Sequence, residues 1–198
     1  VWAPQRAALA EAGHSTAALA LPGHGAGAPK GAVGVGLAAD PARLAAHMAD
    51  RVAKASRGRP VRIVGHSMGG LVALDIARLR PDLIRDICVV GTLHDGDCGR
   101  TQTLGSWLVT QAPAVGPISA RLLLQRWLAC PRRFEAWMAR SCAAGERIRV
   151  DTAPMRAELA GACPDTLRML ACMISNRDAL REIGELSCPV TCVISARD

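Results

Sequence analysis

The sequence predicts an α/β fold: a mostly parallel sheet with flanking helices, interrupted by a helical insertion. Three observations carry this. Short β-rich or apolar runs at 15–21, 61–64 and 84–90 alternate with helical stripes, the rhythm of strands joined by helical crossovers. After Gly91 the rhythm changes, and residues 98–187 show helical spacing with almost no strand signal. Residues 189–194 (Pro-Val-Thr-Cys-Val-Ile) then return to a strand pattern. The expected division is 1–97 as the first part of the α/β core, 98–187 as a helical cap, and 188–198 as a further core strand.

In chain order, residues 3–12 read as a short helix, with Pro4 near its start and Gly13 as its stop. Residues 15–21 are an apolar run, expected as a buried strand, and end at the turn cluster Pro22-Gly23-His24-Gly25. Residues 26–39, rich in Gly and Ala, are expected as a loop. Asp40 is a good N-cap and Pro41 a good first helical residue. Leu44, Met48, Val52 and Ala55 follow as a helical stripe closed by Gly58. His47 beside that stripe reads as a partly buried structural histidine. Val61-Arg62-Ile63-Val64 is a strand, Gly65 to Gly70 a tight turn, and Leu71 to Leu79 a helix that ends before Pro81. Residues 84–90 form the next buried strand. In the insertion, Leu122, Leu123, Trp127 and Leu128 make one stripe. Phe134, Trp137 and Met138 make a second, and Leu167, Leu170, Ala171 and Ile174 a third.

Composition excludes several classes. Half of the 198 residues are hydrophobic and 21% are charged, so the chain is not a disordered tail. One Phe, four Trp and no Tyr leave the core to Ala, Leu, Val, Ile and Met. The net charge of +7 comes without runs of like charge or interleaved aromatics, so no nucleic-acid partner is expected. No uncharged apolar stretch reaches about 18 residues, so no integral membrane segment is expected. No signal peptide opens the chain, and a cytoplasmic location is expected. The cysteines show neither C-x-x-C nor zinc spacing, and no metal or other cofactor is expected.

The chemistry centres on Gly65-His66-Ser67-Met68-Gly69, a G-x-S-x-G sequence between a strand and a helix. That context puts Ser67 on a strained strand-to-helix turn with its hydroxyl exposed above the sheet. Gly65 and Gly69 are expected there because side chains would collide with the turn and the adjacent strand. A helix beginning near Met68 aims its N-terminus at the site, so the Met68 backbone N–H can stabilise an oxyanion.

Together with Gly70 and the earlier Leu21-Pro22-Gly23-His24-Gly25, this sequence strongly resembles the α/β-hydrolase fold superfamily, in particular its capped, esterase- or lipase-like members with a serine nucleophile. The resemblance covers residues 1–91 and 183–198, and the block between fits the variable helical cap by position and composition. It implies that Ser67 is the nucleophile, that Met68 supplies one oxyanion donor, and that Asp198 is the acid orienting a histidine. Ser195-Ala196-Arg197-Asp198 is similar to the family's Gly-x-x-Asp ending, with Ser195 in place of glycine. Asp95 and Asp97, after the strand at 84–90, are reserve acids. His66 flanks the nucleophile and can line the pocket. His24 is expected to serve its loop. The histidine base should follow Asp198, and the family's first strands should precede Val1. The chain is therefore expected to be a fragment with little activity of its own.

The function expected is hydrolysis of a carboxylic ester, or a related acyl bond, through an acyl-enzyme on a small apolar acyl substrate. Serine at this position argues against the superfamily's dehalogenases and epoxide hydrolases, which use Asp. Thioesterase, acyltransferase, perhydrolase and C–C hydrolase chemistry use the same triad. A non-catalytic ligand-binding relative is the alternative from another class.

Overall fold

The computed structural model describes residues 2–25, 28–92, 108–110, 112, 114–139, 151–174 and 177–194. Helices α1 (Ala3–Glu11), α2 (Gly31–Ala38) and α3 (Pro41–Ser56) precede strand β1 (Val61–His66). Helix α4 (Met68–Leu79), a 3-10 turn (Pro81–Leu83) and strand β2 (Ile84–Val90) follow. Between β2 and the last strand, β3 (Val190–Val193), lie α5 (Gly116–Leu128), α6 (Pro131–Ala139), α7 (Ala153–Ala160), α8 (Pro164–Ile174) and α9 (Ala179–Ile183). The strands form one parallel sheet in the order β1-β2-β3, with His66 opposite Val90 and Val90 opposite Val193.

Helix α3 shows how local sequence sets an element. Asp40 is extended, and its Oδ1 accepts from the N–H groups of Ala42 (3.0 Å) and Arg43 (3.1 Å), satisfying two donors that the first turn leaves orphaned. Leu44, Ala45, Met48, Ala49 and Val52 are buried. At the other end Arg57 (φ 55) and Gly58 (φ 73) turn left-handed, and the Gly58 N–H donates to Ala53 O at 2.8 Å, which closes the helix.

The core lies between the sheet and helices α3 and α4. Leu44 and Met48 of α3, Leu71 and Leu74 of α4, and Ile87 and Val89 of β2 belong to one cluster. Leu170 and Met173 of α8 and Ala179 of α9 belong to the same cluster. Burying an aliphatic side chain of this size contributes about 2 kcal/mol, so α8 and α9 are fastened to the sheet's own core. The face that α8 buries runs through Thr166, Leu170 and Met173. The expected stripe is Leu167, Leu170, Ala171 and Ile174, so the structure differs by a shift of helical phase. Val64, Val193 and Ile194, on or beside the two edge strands, are 42%, 47% and 62% exposed.

Two expectations are overturned. Residues 15–21 are not a strand; their apolar character comes largely from alanine, a poor strand former. They run as an extended strap whose Leu19 and Leu21 pack on the core and whose Ala20 carbonyl accepts from the Arg51 guanidinium of α3. They are therefore not a neighbour of β1 in the ladder. Residues 31–38 are not a loop but helix α2, despite Gly31, Gly34 and Gly36. A Cβ at Gly34 would lie 2.6 Å from Pro29 O and 3.0 Å from Thr166 Oγ1. Close packing on α8 therefore outweighs the weak helix propensity of this stretch.

An ionic cluster ties Arg177 and α9 to α4. The Arg177 side chain, 12% exposed, donates to both Asp75 oxygens at 2.9 and 2.8 Å and reaches Glu182 Oε1 at 2.6 Å. Arg78 sits 3.2 Å from Glu182 Oε2. Burial alone would push the Glu182 carboxyl up, but the hydrogen bonds and charge of Arg177, then Arg78, hold it below the usual carboxylate range. Its folded pKa is thus below its unfolded one. The resulting stabilisation is complete above about pH 4.3 and is lost as pH falls through the lower folded value. Arg177→Met should therefore destabilise the protein by about 3 kcal/mol at pH 7, read from the urea midpoint, with a smaller difference at pH 3. An equal midpoint shift at both pH values would contradict this account of the cluster.

Candidate active site

The site is built at the junction of β1 and α4. Ser67 has φ 50 and ψ −122 and is the N-cap of α4. A non-glycine residue rarely takes positive φ, and such strain costs on the order of 1–3 kcal/mol. It is held by the surrounding backbone. The Ser67 N–H donates to Val90 O at 2.9 Å, and Ser67 O accepts from the Gly70 N–H at 2.9 Å. The Thr92 hydroxyl also donates to Ser67 O, at 3.0 Å, and lies 3.2 Å from Val90 O. Ser67 itself is exposed. Met68 opens α4, and its side chain packs on the core. Its N–H is among those a helix cannot satisfy internally, at the end where the helix dipole favours negative charge.

The glycines explain how the turn closes, with one change from expectation. A Cβ at Gly65 would lie 2.5 Å from Gly69 O and 2.6 Å from Gly70 Cα, so the first turn of α4 rests directly on β1. A Cβ at Gly69 would meet nothing within 4 Å, so the expected collision there does not exist. The second indispensable glycine is Gly70, where a Cβ would lie 2.1 Å from Thr92 Oγ1 and 2.6 Å from Thr92 Cγ2. Successive helical residues point about 100° apart, so of the two neighbours only Gly70 faces Thr92.

The other expected residues are placed as follows. His66, the last residue of β1, is exposed, and a Cβ at Gly91 would lie 3.9 Å from its Nε2. His24 Nδ1 donates to Pro22 O at 3.1 Å, a bond within its own loop. That loop docks on the start of α8. The Cys163 N–H donates to Gly23 O at 3.2 Å, and a Cβ at Gly23 (φ 78) would lie 2.8 Å from Thr166 Cβ. His47 is half-buried on α3, with its Nε2 enclosed and unpartnered. His94, Asp95, Asp97 and Asp198 lie outside the described residues. The structure thus gathers Gly65, Ser67, Met68 and Gly69 at one bend, and adds Gly70 and Thr92. Sequence reading passes over Thr92, whose only local signal is its position two residues beyond the end of a strand.

The family model for the alpha/beta hydrolase family matches residues 1–194. The chain belongs to the alpha/beta hydrolase family. Solved alpha/beta hydrolases share its fold at low identity. A mutant of the N-acyl homoserine lactonase AidH, complexed with N-hexanoyl homoserine lactone, is 15% identical with a TM-score of 0.57, over 88% of this chain and 58% of that one. A putative alpha/beta hydrolase from Nostoc sp PCC 7120, ALR0039, is 14% identical with a TM-score of 0.56, over 82% of this chain and 58% of that one. The chain thus spans less than two thirds of the length of these neighbours. No curated protein matches it. Among the described residues, no helix is long and apolar enough to cross a membrane.

The glycine geometry separates three substitutions that a motif alone treats alike. Gly65→Ala and Gly70→Ala should each cost about 1–3 kcal/mol by overpacking. Gly69→Ala should be neutral or stabilise by up to about 1 kcal/mol through helix propensity. Chemical denaturation of the three variants checks the order, and a Gly69→Ala as destabilising as Gly70→Ala would refute it.

Proposed function

We propose that the protein is a serine hydrolase that cleaves a carboxylic ester of a small apolar acyl substrate through an acyl-enzyme. The observation that carries this is Ser67 at φ 50 and ψ −122, a strained and exposed residue at the start of a helix whose opening N–H, that of Met68, has no acceptor within the helix. The reading assigns Ser67 as nucleophile, the Met68 N–H as oxyanion donor and Asp198 as the acid, with Asp95 and Asp97 as reserves. The base is a histidine other than the four described. His24 is engaged with Pro22, and His14, His47 and His66 belong to other elements or to the solvent side of β1. In the order nucleophile, acid, histidine, the base follows Asp198.

In this scheme the base takes the Ser67 hydroxyl proton as Oγ attacks the ester carbonyl. The oxyanion forms against the N-terminus of α4, where the Met68 N–H and the helix dipole stabilise it. Collapse expels the alcohol, which takes the proton back from the base, and water then releases the acid by the same steps. The apolar side chains of the insertion provide the acyl pocket. A lactone is a cyclic ester, so the lactonase neighbour supports testing cyclic as well as open-chain esters.

The test is hydrolysis of short p-nitrophenyl esters and of an acylated homoserine lactone by the complete gene product and its Ser67→Ala variant. The proposal expects turnover of at least one substrate, with kcat reduced by roughly 10⁴-fold or more in the variant. Turnover that survives Ser67→Ala would overturn it.

A further inference from the structure

The peptide joining Ser67 to Met68 links two groups with different tasks. Its carbonyl is Ser67 O, gripped by the Gly70 N–H and the Thr92 hydroxyl. Its N–H is that of Met68. A trans peptide is planar, and its C=O and N–H point in opposite directions. Holding the carbonyl toward Thr92 therefore aims the Met68 N–H away from it.

We infer that Thr92 is a positioning residue that aims the Met68 oxyanion donor by hydrogen-bonding the carbonyl of the same peptide. The inference rests on the serine-hydrolase reading and extends it to a residue outside the motif. Thr92 suits the task in three ways. It is 3% exposed, so water does not compete for its hydroxyl. Its hydroxyl and methyl fill the space that Gly70 leaves open; a Cβ there would come within 2.1 Å of Oγ1 and 2.6 Å of Cγ2. It also lies just beyond β2, whose Val90 O receives the Ser67 N–H. The end of β2 and Thr92 thus engage the Ser67 N–H and C=O together. The Val90 bond fixes the preceding peptide, His66–Ser67; in strained backbone, where no regular ladder fixes the plane, the bonds from the Gly70 N–H and the Thr92 hydroxyl to Ser67 O set the orientation of the Ser67–Met68 peptide.

An oxyanion donor acts mainly in the transition state, and removing one outright costs roughly 10²–10³-fold in kcat. In Thr92→Val the Gly70 N–H still holds Ser67 O, so the donor is misaimed and not lost. The expected result in the complete gene product is a fall in kcat of about tenfold with KM within twofold. Thr92→Ser keeps the hydroxyl and should return kcat to within threefold of wild type, although it loses the methyl. A purely structural role predicts the reverse order, because Val preserves the packing that Ser gives up. Thermal melting of both variants shows the packing cost separately. Wild-type kcat in Thr92→Val, or a loss in Thr92→Ser as large as in Thr92→Val, would overturn the inference while leaving the hydrolase reading intact. Turnover in the wild type that survives Ser67→Ala would remove both.

Discussion

The chain must pass from β1 into α4 through a single residue, with the first turn of the helix pressed on the strand's own backbone. Gly65 permits this contact, since a side chain would enter the carbonyl of Gly69. Contact at that distance leaves Ser67 no ordinary backbone conformation, so it takes positive φ. The strain is held by bonds from Ser67 to Val90, Gly70 and Thr92. Net hydrogen-bond contributions near 1 kcal/mol each are of the same order as the strain they oppose. An exposed serine in a fixed, uncommon conformation is the consequence.

The rest of the described structure supports that bend. Helix α4 is buried along most of its length, with Leu71, Val72, Ala73 and Leu74 all inside, so it cannot rotate to relieve Ser67. Helix α3 backs it across the core. Leu170 and Met173 of α8 share the core cluster of α4, and Arg177 bonds its Asp75. The glycine turn at 22–25 receives α8 through Gly23 and Thr166. The two glycine-rich segments thus do different jobs, one shaping the turn at Ser67 and the other seating α8 of the segment between β2 and β3.

What sequence could show follows from the range of each interaction. β1, α4 and β2 are legible because periodicity, breakers and composition agree at 61–90, and the Asp40-Pro41 start of α3 is a local hydrogen-bonding pattern. The run at 15–21 misleads because alanine is apolar without favouring strands. Helix α2 is hidden by its glycines, of which Gly34 lets Pro29 and Thr166, the latter far away in sequence, approach closely. The motif locates Ser67 and Gly65, but the choice between Gly69 and Gly70 depends on helical phase relative to Thr92. Thr92 itself acts through space on a peptide 25 positions earlier, and no spacing rule reaches that far.

The central claim is that the strained turn presents Ser67 as a nucleophile. The most direct measurement is peptide mapping after the complete gene product has reacted with a fluorophosphonate. The account predicts a single phosphonyl adduct on Ser67, absent from Ser67→Ala. An adduct on another residue, or an unmodified Ser67 in a preparation that still turns over ester, would contradict it.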